Sequence, residues 1–208
     1  MTRVVYLHGF ASSPLSSKAR FFEQRFTAAG VPFVAPRLDC GEFERLTITG
    51  QLEVVDRAVR GEKVNLMGSS LGGYLAALYA ARHPNVERIV LLAPALEFPS
   101  RWREKFSLAE LDEWKRTGFR YFYHYGSQSE RPLGFQFVED ALRYEDDPDF
   151  SQPALILHGI RDDVVPAKIS VAFAKRHPNV QVRLLDSGHE LTDVTERLWS
   201  ETQAFLAR

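Results

Sequence analysis

Residues 63–74 have the sequence KVNLMGSSLGGY, in which an apolar run leads into the pentapeptide GSSLG at 68–72. This pentapeptide fits G-x-S-x-G, the pattern of a sharp turn from a strand into a helix that exposes a serine hydroxyl at a sheet edge. Small residues are required there because the serine has a strained backbone that larger neighbours would obstruct. A helix-forming run from Tyr74 to Arg82 follows directly. The context predicts a strand, turn and helix that present Ser70 as a candidate nucleophile.

The same alternation of strands and helices extends over most of the chain. Short apolar runs bounded by turn residues alternate with segments of helical spacing, such as Ser17 to Ala29 and Ile48 to Val59. This alternation is typical of a parallel sheet covered by helices on both faces. We therefore predict an α/β three-layer sandwich with a central, mostly parallel sheet of about six strands. The predicted strands are Val4 to Leu7, Val31 to Ala35, Val64 to Met67, Ile89 to Leu92, Ala154 to Leu157 and Val180 to Leu185.

A long segment, 98–150, separates the fourth predicted strand from the fifth. It holds 13 of the 25 Phe, Tyr and Trp residues of the chain. A segment so rich in aromatic residues is not typical of a disordered linker. We expect a single domain over 1–208 in which 98–150 forms a mostly helical cap, with its clearest helix at Leu108 to Lys115. The aromatic side chains could pack the cap onto the body, line a substrate pocket, or do both.

A serine hydroxyl is a poor nucleophile at neutral pH, so Ser70 requires a base and an acid that orients the base. The base is expected at His189, in the loop DSGHE that follows the last predicted strand. The acid is expected in HGIRDDVVP at 158–166, after the fifth strand, where Asp162 is preferred over Asp163. Ser70, Asp162 and His189 would then form a catalytic triad.

Acyl transfer also needs backbone N–H donors for the oxyanion that forms on the substrate carbonyl. Leu71, which follows the nucleophile at the start of its helix, is expected to supply one donor. The tight turn His8-Gly9-Phe10 after the first strand is expected to supply the other through the N–H of Phe10. His8 itself is expected to shape this turn.

The order Ser70, Asp162, His189, together with the His8-Gly9 turn, resembles the α/β-hydrolase superfamily. The opening VYLHGFASSPLSSKA at 5–19 is similar, more narrowly, to the small bacterial YqiA-like esterases. The resemblance implies that the first and third strands are neighbours at the centre of the sheet, with the second strand outside the first. The loops after the first and third strands would then diverge at a switch point, where open α/β sheets bind ligands.

Composition limits the partners that the chain could have. Lys and Arg number 26 against 27 Asp and Glu, which gives a net charge of −1. Nucleic acid and membrane surfaces are therefore not expected as partners, and the longest apolar runs are too short to span a membrane. A single cysteine, Cys40, allows no internal disulfide. With an N-terminus that lacks a signal pattern, these features predict a cytoplasmic protein. No pair of His or carboxylate residues has the spacing of metal ligands on one helix or turn, so no metal is expected, and the chemistry of the predicted triad implies no cofactor.

The function that these residues predict is a serine esterase acting on short or medium acyl esters of a small molecule. A thioesterase or an amidase-type hydrolase would use the same triad on a different leaving group. Haloperoxidase-like chemistry and carbon–carbon bond hydrolysis are less favoured. An α/β-hydrolase-like binding protein without catalytic activity is an alternative of a different class.

Overall fold

A computed structural model describes residues 2–207 and contains eight strands within this range. Six of them form one sheet in the order β2-β1-β3-β4-β7-β8, with every neighbouring pair parallel. This confirms the predicted sheet and the position of the first strand between the second and the third. The strands are β1 (Arg3–Leu7), β2 (Phe33–Val34), β3 (Val64–Ser69), β4 (Val86–Leu92), β5 (Phe119–His124), β6 (Ser129–Gly134), β7 (Ala154–Gly159) and β8 (Val180–Leu185).

Helices cover both faces of the sheet, as predicted for a three-layer sandwich. Within residues 2–207 the α-helices are α1 (Ser17–Ala28), α2 (Ile48–Val59), α3 (Leu71–Ala80), α4 (Phe98–Glu104), α5 (Leu108–Thr117), α6 (Gln136–Ala141), α7 (Ala167–Arg176) and α8 (Thr195–Leu206). Helices α1 and α8 pack on one face, where Phe22 and Leu198 join a buried cluster with Tyr6 and Met67. Helices α2, α3 and α7 pack on the other face. None of the helices in residues 2–207 is long and apolar enough to cross a membrane.

The strands of the sheet centre are covered on both sides, and most of their buried side chains are apolar. Strand β3 is buried along its whole length, and β1 and β4 are buried at the ends that carry the following loops. Strand β2 is shorter than the predicted Val31 to Ala35. Proline stands at 32 and at 36, and proline cannot donate a ladder hydrogen bond. The parallel arrangement brings the loops after β1, β3, β7 and β8 to a single edge.

The segment 98–150 differs from the predicted mostly helical cap. Helices α4, α5 and α6 are present, but residues between them form an antiparallel hairpin of β5 and β6. The correction has a simple physical reason. Residues Phe119 to His124 alternate between exposed and more buried positions, which is the period of a strand, and aromatic residues favour strands.

Candidate active site

Ser70 lies at the junction of β3 and α3 in a backbone conformation that few residues adopt. Its φ is +53° and its ψ is −119°, and such strain is retained where the surrounding structure fixes it. Glycines allow the close packing of this turn. A Cβ added to Gly72 would lie 2.1 Å from the carbonyl oxygen of Leu7, and one added to Gly68 would lie 2.1 Å from the carbonyl oxygen of Gly72. The predicted turn is therefore present and is fixed against β1.

Ser70, Asp162 and His189 lie together in the structure. In the sequence, His189 is 119 positions from Ser70 and 27 positions from Asp162. The Ser70 hydroxyl lies 3.0 Å from His189 Nε2 and can donate to it. His189 Nδ1 lies 2.7 Å from Asp162 Oδ2 and donates to this carboxylate. The Asp162 side chain is fully buried, whereas the His189 side chain is 12% exposed. The three predicted residues thus form one continuous hydrogen-bonded chain that ends at a partly accessible hydroxyl.

Asp162 is held as a carboxylate by donors on both of its oxygens. Oδ1 accepts from the backbone N–H groups of Val164 (2.9 Å) and Val165 (2.7 Å). Oδ2 accepts from His158 as well as from His189. Burial alone would raise the pKa of Asp162, but these hydrogen bonds and the nearby charge of His189 together hold that pKa well below its usual value. Asp163, the alternative acid, is exposed to solvent.

The two predicted oxyanion donors border Ser70. Leu71 is the first residue of α3, so its N–H lacks a partner within the helix. A Cβ added to Gly9 would lie 3.4 Å from Ser70 Cβ, which places the His8-Gly9-Phe10 turn against the nucleophile. His8 is buried and holds this turn, since its Nδ1 donates to the carbonyl of Gly9 at 2.9 Å and its Nε2 accepts from the N–H of Leu38 at 3.3 Å. That Leu71 and Phe10 bind an oxyanion stays a prediction.

Phe43 and three aromatic side chains of the segment 98–150 surround the ring of Phe10. The ring centroids of Phe43, Trp102, Phe122 and Phe137 lie 5.4, 5.0, 5.5 and 5.7 Å from that of Phe10. The aromatic residues therefore pack the segment onto the body beside the turn that contains Phe10. That they also line a substrate pocket stays a prediction.

Lys18 is buried near the site, and no role for it was predicted from the sequence. Its Nζ donates to the carbonyl oxygen of Glu190 at 2.7 Å and lies 3.7 Å from the Glu190 carboxylate. Burial lowers the pKa of Lys18, and Glu190 opposes this effect. Because Glu190 follows His189 directly, Lys18 fastens the histidine loop to helix α1. The only sequence signal was its place in the opening stretch 5–19.

Comparisons with known proteins agree with this architecture. Residues 3–206 match the uncharacterised protein family UPF0227. Alpha/beta hydrolase domain-containing protein 10 from mouse superposes with a TM-score of 0.82 at 20% identity, covering 98% of this chain and 89% of the mouse chain. Est1E from Butyrivibrio proteoclasticus with ferulic acid bound gives a TM-score of 0.82 at 21% identity, covering 100% of this chain and 90% of Est1E.

A search of the curated proteins gave no match. The structural similarities confirm the predicted fold, and the family match extends over almost the whole chain. The chain belongs to the uncharacterised protein family UPF0227 and has the α/β-hydrolase fold.

Proposed function

We propose that this protein is a serine hydrolase that cleaves short or medium acyl esters of a small molecule through a covalent acyl-enzyme. The observation that supports this most strongly is the continuous hydrogen bonding from Ser70 through His189 to Asp162. A hydroxyl that donates to an imidazole, which in turn donates to a buried carboxylate, is the arrangement that turns serine into a nucleophile.

In the first half of the reaction, Ser70 Oγ attacks the ester carbonyl while its proton moves to His189 Nε2. The carbonyl oxygen becomes an oxyanion, which the N–H groups of Phe10 and Leu71 would bind. His189 is then an imidazolium that the ionised Asp162 stabilises. It donates this proton to the leaving alcohol oxygen as the bond between the carbonyl carbon and this oxygen breaks.

In the second half, water attacks the acyl-enzyme and gives one proton to His189. The second tetrahedral species collapses, the Ser70 oxygen leaves and takes back that proton, and the carboxylic acid is released. His189 therefore donates each proton that it accepts within the same half-reaction, first to the leaving alcohol and then to Ser70. The chemistry needs only side chains and backbone groups of this chain, and no cofactor takes part in it.

The surroundings of the site support the proposed substrate class. Phe10 and the aromatic residues around it provide an apolar border, which suits an acyl group better than a charged one. The ferulic acid bound to Est1E adds an aromatic acyl ester to the substrates worth testing. We further propose a cytoplasmic location and a small-molecule substrate, without nucleic acid or membrane as a partner. The free cysteine Cys40 is compatible with a reducing compartment.

The direct test is a panel of p-nitrophenyl esters with acetyl, butyryl, octanoyl and feruloyl groups, assayed with matched thioesters and p-nitroanilides. Each kcat/KM is divided by the hydroxide-catalysed rate constant of the same substrate, so that leaving-group reactivity does not decide the ranking. We expect the esters to rank first and Ser70→Ala to lower kcat/KM by about 10⁴-fold or more. A thioester or an anilide ranking first would favour the corresponding alternative. Ester turnover by Ser70→Ala at the wild-type rate would refute the proposal.

A further inference from the structure

The carboxylate of Asp162 is shared between two imidazoles, and only one of them contacts Ser70. Asp162 Oδ2 lies 2.7 Å from His189 Nδ1 and 3.0 Å from His158 Nε2. His158 lies on β7, four residues before Asp162, and its side chain is completely buried. The mechanism proposed above assigns His158 no step.

The hydrogen-bond partners of His158 determine where its protons are. Nε2 faces two acceptors, Asp162 Oδ2 and the carbonyl oxygen of Val165 at 2.9 Å, so Nε2 carries a hydrogen. Nδ1 lies 2.7 Å from the hydroxyl of Ser170, which is also completely buried. Ser170 belongs to α7 and Val165 to the loop before it. The ring is therefore fixed from both sides, and its Nε2–H is shared between the Asp162 carboxylate and the Val165 carbonyl oxygen.

We propose that His158 is a positioning residue of the active site, which fixes the orientation and charge distribution of Asp162 and thereby controls how Asp162 holds His189 against Ser70. Together with Ser170 it extends the triad into the hydrogen-bonded chain Ser70, His189, Asp162, His158, Ser170. The inference rests on the proposed function, because it concerns the carboxylate of the proposed triad.

The direction of the effect follows from charge distribution. A donor on Oδ2 draws negative charge away from the oxygen that stabilises the His189 imidazolium. Without the His158 donor, Oδ2 should stabilise that imidazolium more strongly and hold it in a less defined orientation. The acid limb of the kcat/KM profile should then move to higher pH, because the charged imidazolium would persist to higher pH. Lys18 and Glu190, the charged pair beside His189, are unchanged in every variant below.

The main comparison is His158→Leu against His158→Gln. Leucine removes both nitrogens, whereas the glutamine amide can place an N–H near the position of Nε2. We expect His158→Leu to lower kcat by about 10- to 100-fold with little change in KM, because the lost orientation of Asp162 and His189 outweighs the stronger attraction between Oδ2 and the imidazolium. It should also shift the acid limb to higher pH, and His158→Gln should recover most of both effects.

His177→Leu is a matched control, since His177 is also a buried histidine whose Nε2 contacts a carboxylate, Asp147 Oδ1 at 3.1 Å. It should lower the Tm without moving the acid limb. A second control places His158→Leu in the Asp162→Asn background. In that background His158→Leu should lower kcat by less than about 3-fold, because the carboxylate through which His158 acts is already absent. An equal loss in both backgrounds would overturn the proposal.

A measurement without substrate separates this inference from the proposed function. The Nδ1–H of His189 can be followed as a far-downfield proton resonance by NMR, and its chemical shift should change in His158→Leu and return in His158→Gln. A shift without any wild-type turnover would refute only the proposed function. If His158→Leu fails to fold, Ser170→Ala carries the test, with a smaller shift in the same direction expected. An unchanged resonance and an unchanged acid limb in the folded variants would overturn the role of His158.

Discussion

Asp162 and Asp163 are adjacent in the chain, but only Asp162 is buried. Its carboxylate accepts from His189 and from the backbone of the following loop, whereas the exposed side chain of Asp163 is surrounded by solvent. We expect Asp162→Asn to lower kcat by about 10⁴-fold, because an amide can hold His189 in the wrong tautomer. Asp163→Asn should stay within about 2-fold of wild type. Ester hydrolysis rates of the two purified variants test this expectation. If Asp163→Asn were inactive and Asp162→Asn remained active, Asp162 would be excluded as the acid.

The low pKa of Asp162 also predicts how stability depends on pH. Hydrogen bonds from His158, His189 and Val165 outweigh the effect of burial and hold that pKa below its unfolded value of about 3.9. A group with a depressed folded pKa stabilises the protein above the unfolded pKa, and this contribution disappears as the pH falls toward the folded pKa. The stability advantage of wild type over Asp162→Asn should therefore shrink between about pH 5 and pH 3. Urea denaturation at each pH measures it, and an advantage that grows on acidification would contradict the assignment.

The residues of the site differ in how far the sequence could predict them. Ser70 is predictable because its turn is encoded by neighbouring glycines, and Asp162 and His189 follow from strand ends that share one sheet edge. The roles of His158 and Lys18 are not predictable in this way. The contact of Lys18 joins residues 172 positions apart, and His158 meets Ser170 only when β7 and α7 are packed together.

At the scale of elements, the packing of β1 against α3 explains why the turn at Ser70 needs glycine. A Cβ at position 72 would lie 2.1 Å from a β1 carbonyl oxygen, so the backbone would have to move. We expect Gly72→Ala to destabilise the fold by about 3 kcal/mol or more, which corresponds to a loss of about 6–12 °C in Tm.

Gly188→Ala is the matched control for Gly72→Ala, and thermal denaturation compares the two variants. A Cβ at Gly188 meets nothing within 4 Å, and its φ is not positive. The Tm of Gly188→Ala should stay within about 2 °C of wild type. Equal melting temperatures for Gly72→Ala and wild type would show that the approach of α3 to β1 is not as tight as the structure describes.

The strands of the sheet were the most predictable elements and the hairpin of β5 and β6 the least. Buried strands are mostly apolar, so β3, β4 and β7 contain short apolar runs that are visible in the sequence. The hairpin instead lies on the surface of the cap with Tyr121 and Tyr123 exposed. Its strand period is hidden among aromatic residues that are equally compatible with an amphipathic helix.

At the scale of the whole molecule, the segment 98–150 is fastened to the body at several points. Asp140 on α6 accepts from the backbone N–H (2.8 Å) and the hydroxyl (2.7 Å) of Thr49 on α2. Tyr74 on α3 donates to the carbonyl oxygen of Glu145 at 2.8 Å. The ring of Phe10, from the β1 loop, lies within the aromatic cluster of the segment. We infer that segment and body fold as one cooperative unit.

Tryptophan fluorescence can test this cooperativity. Two of the three tryptophans, Trp102 and Trp114, lie in the segment, and the third is Trp199 on α8. In Trp199→Phe the fluorescence reports on the segment alone, while far-UV circular dichroism reports on all the helices. We expect the two urea transitions to have the same midpoint. A fluorescence transition at clearly lower urea would mean that the segment unfolds separately from the sheet.

The reactivity of Ser70 is best measured with a fluorophosphonate, which phosphonylates an activated serine without requiring the natural substrate. Intact mass and peptide mapping should show one label per chain on Ser70. The label should be absent in Ser70→Ala, present in the adjacent control Ser69→Ala, and formed at least about 100-fold more slowly in His189→Ala. A label on another residue, or equal labelling rates in wild type and His189→Ala, would contradict the activation of Ser70 by His189.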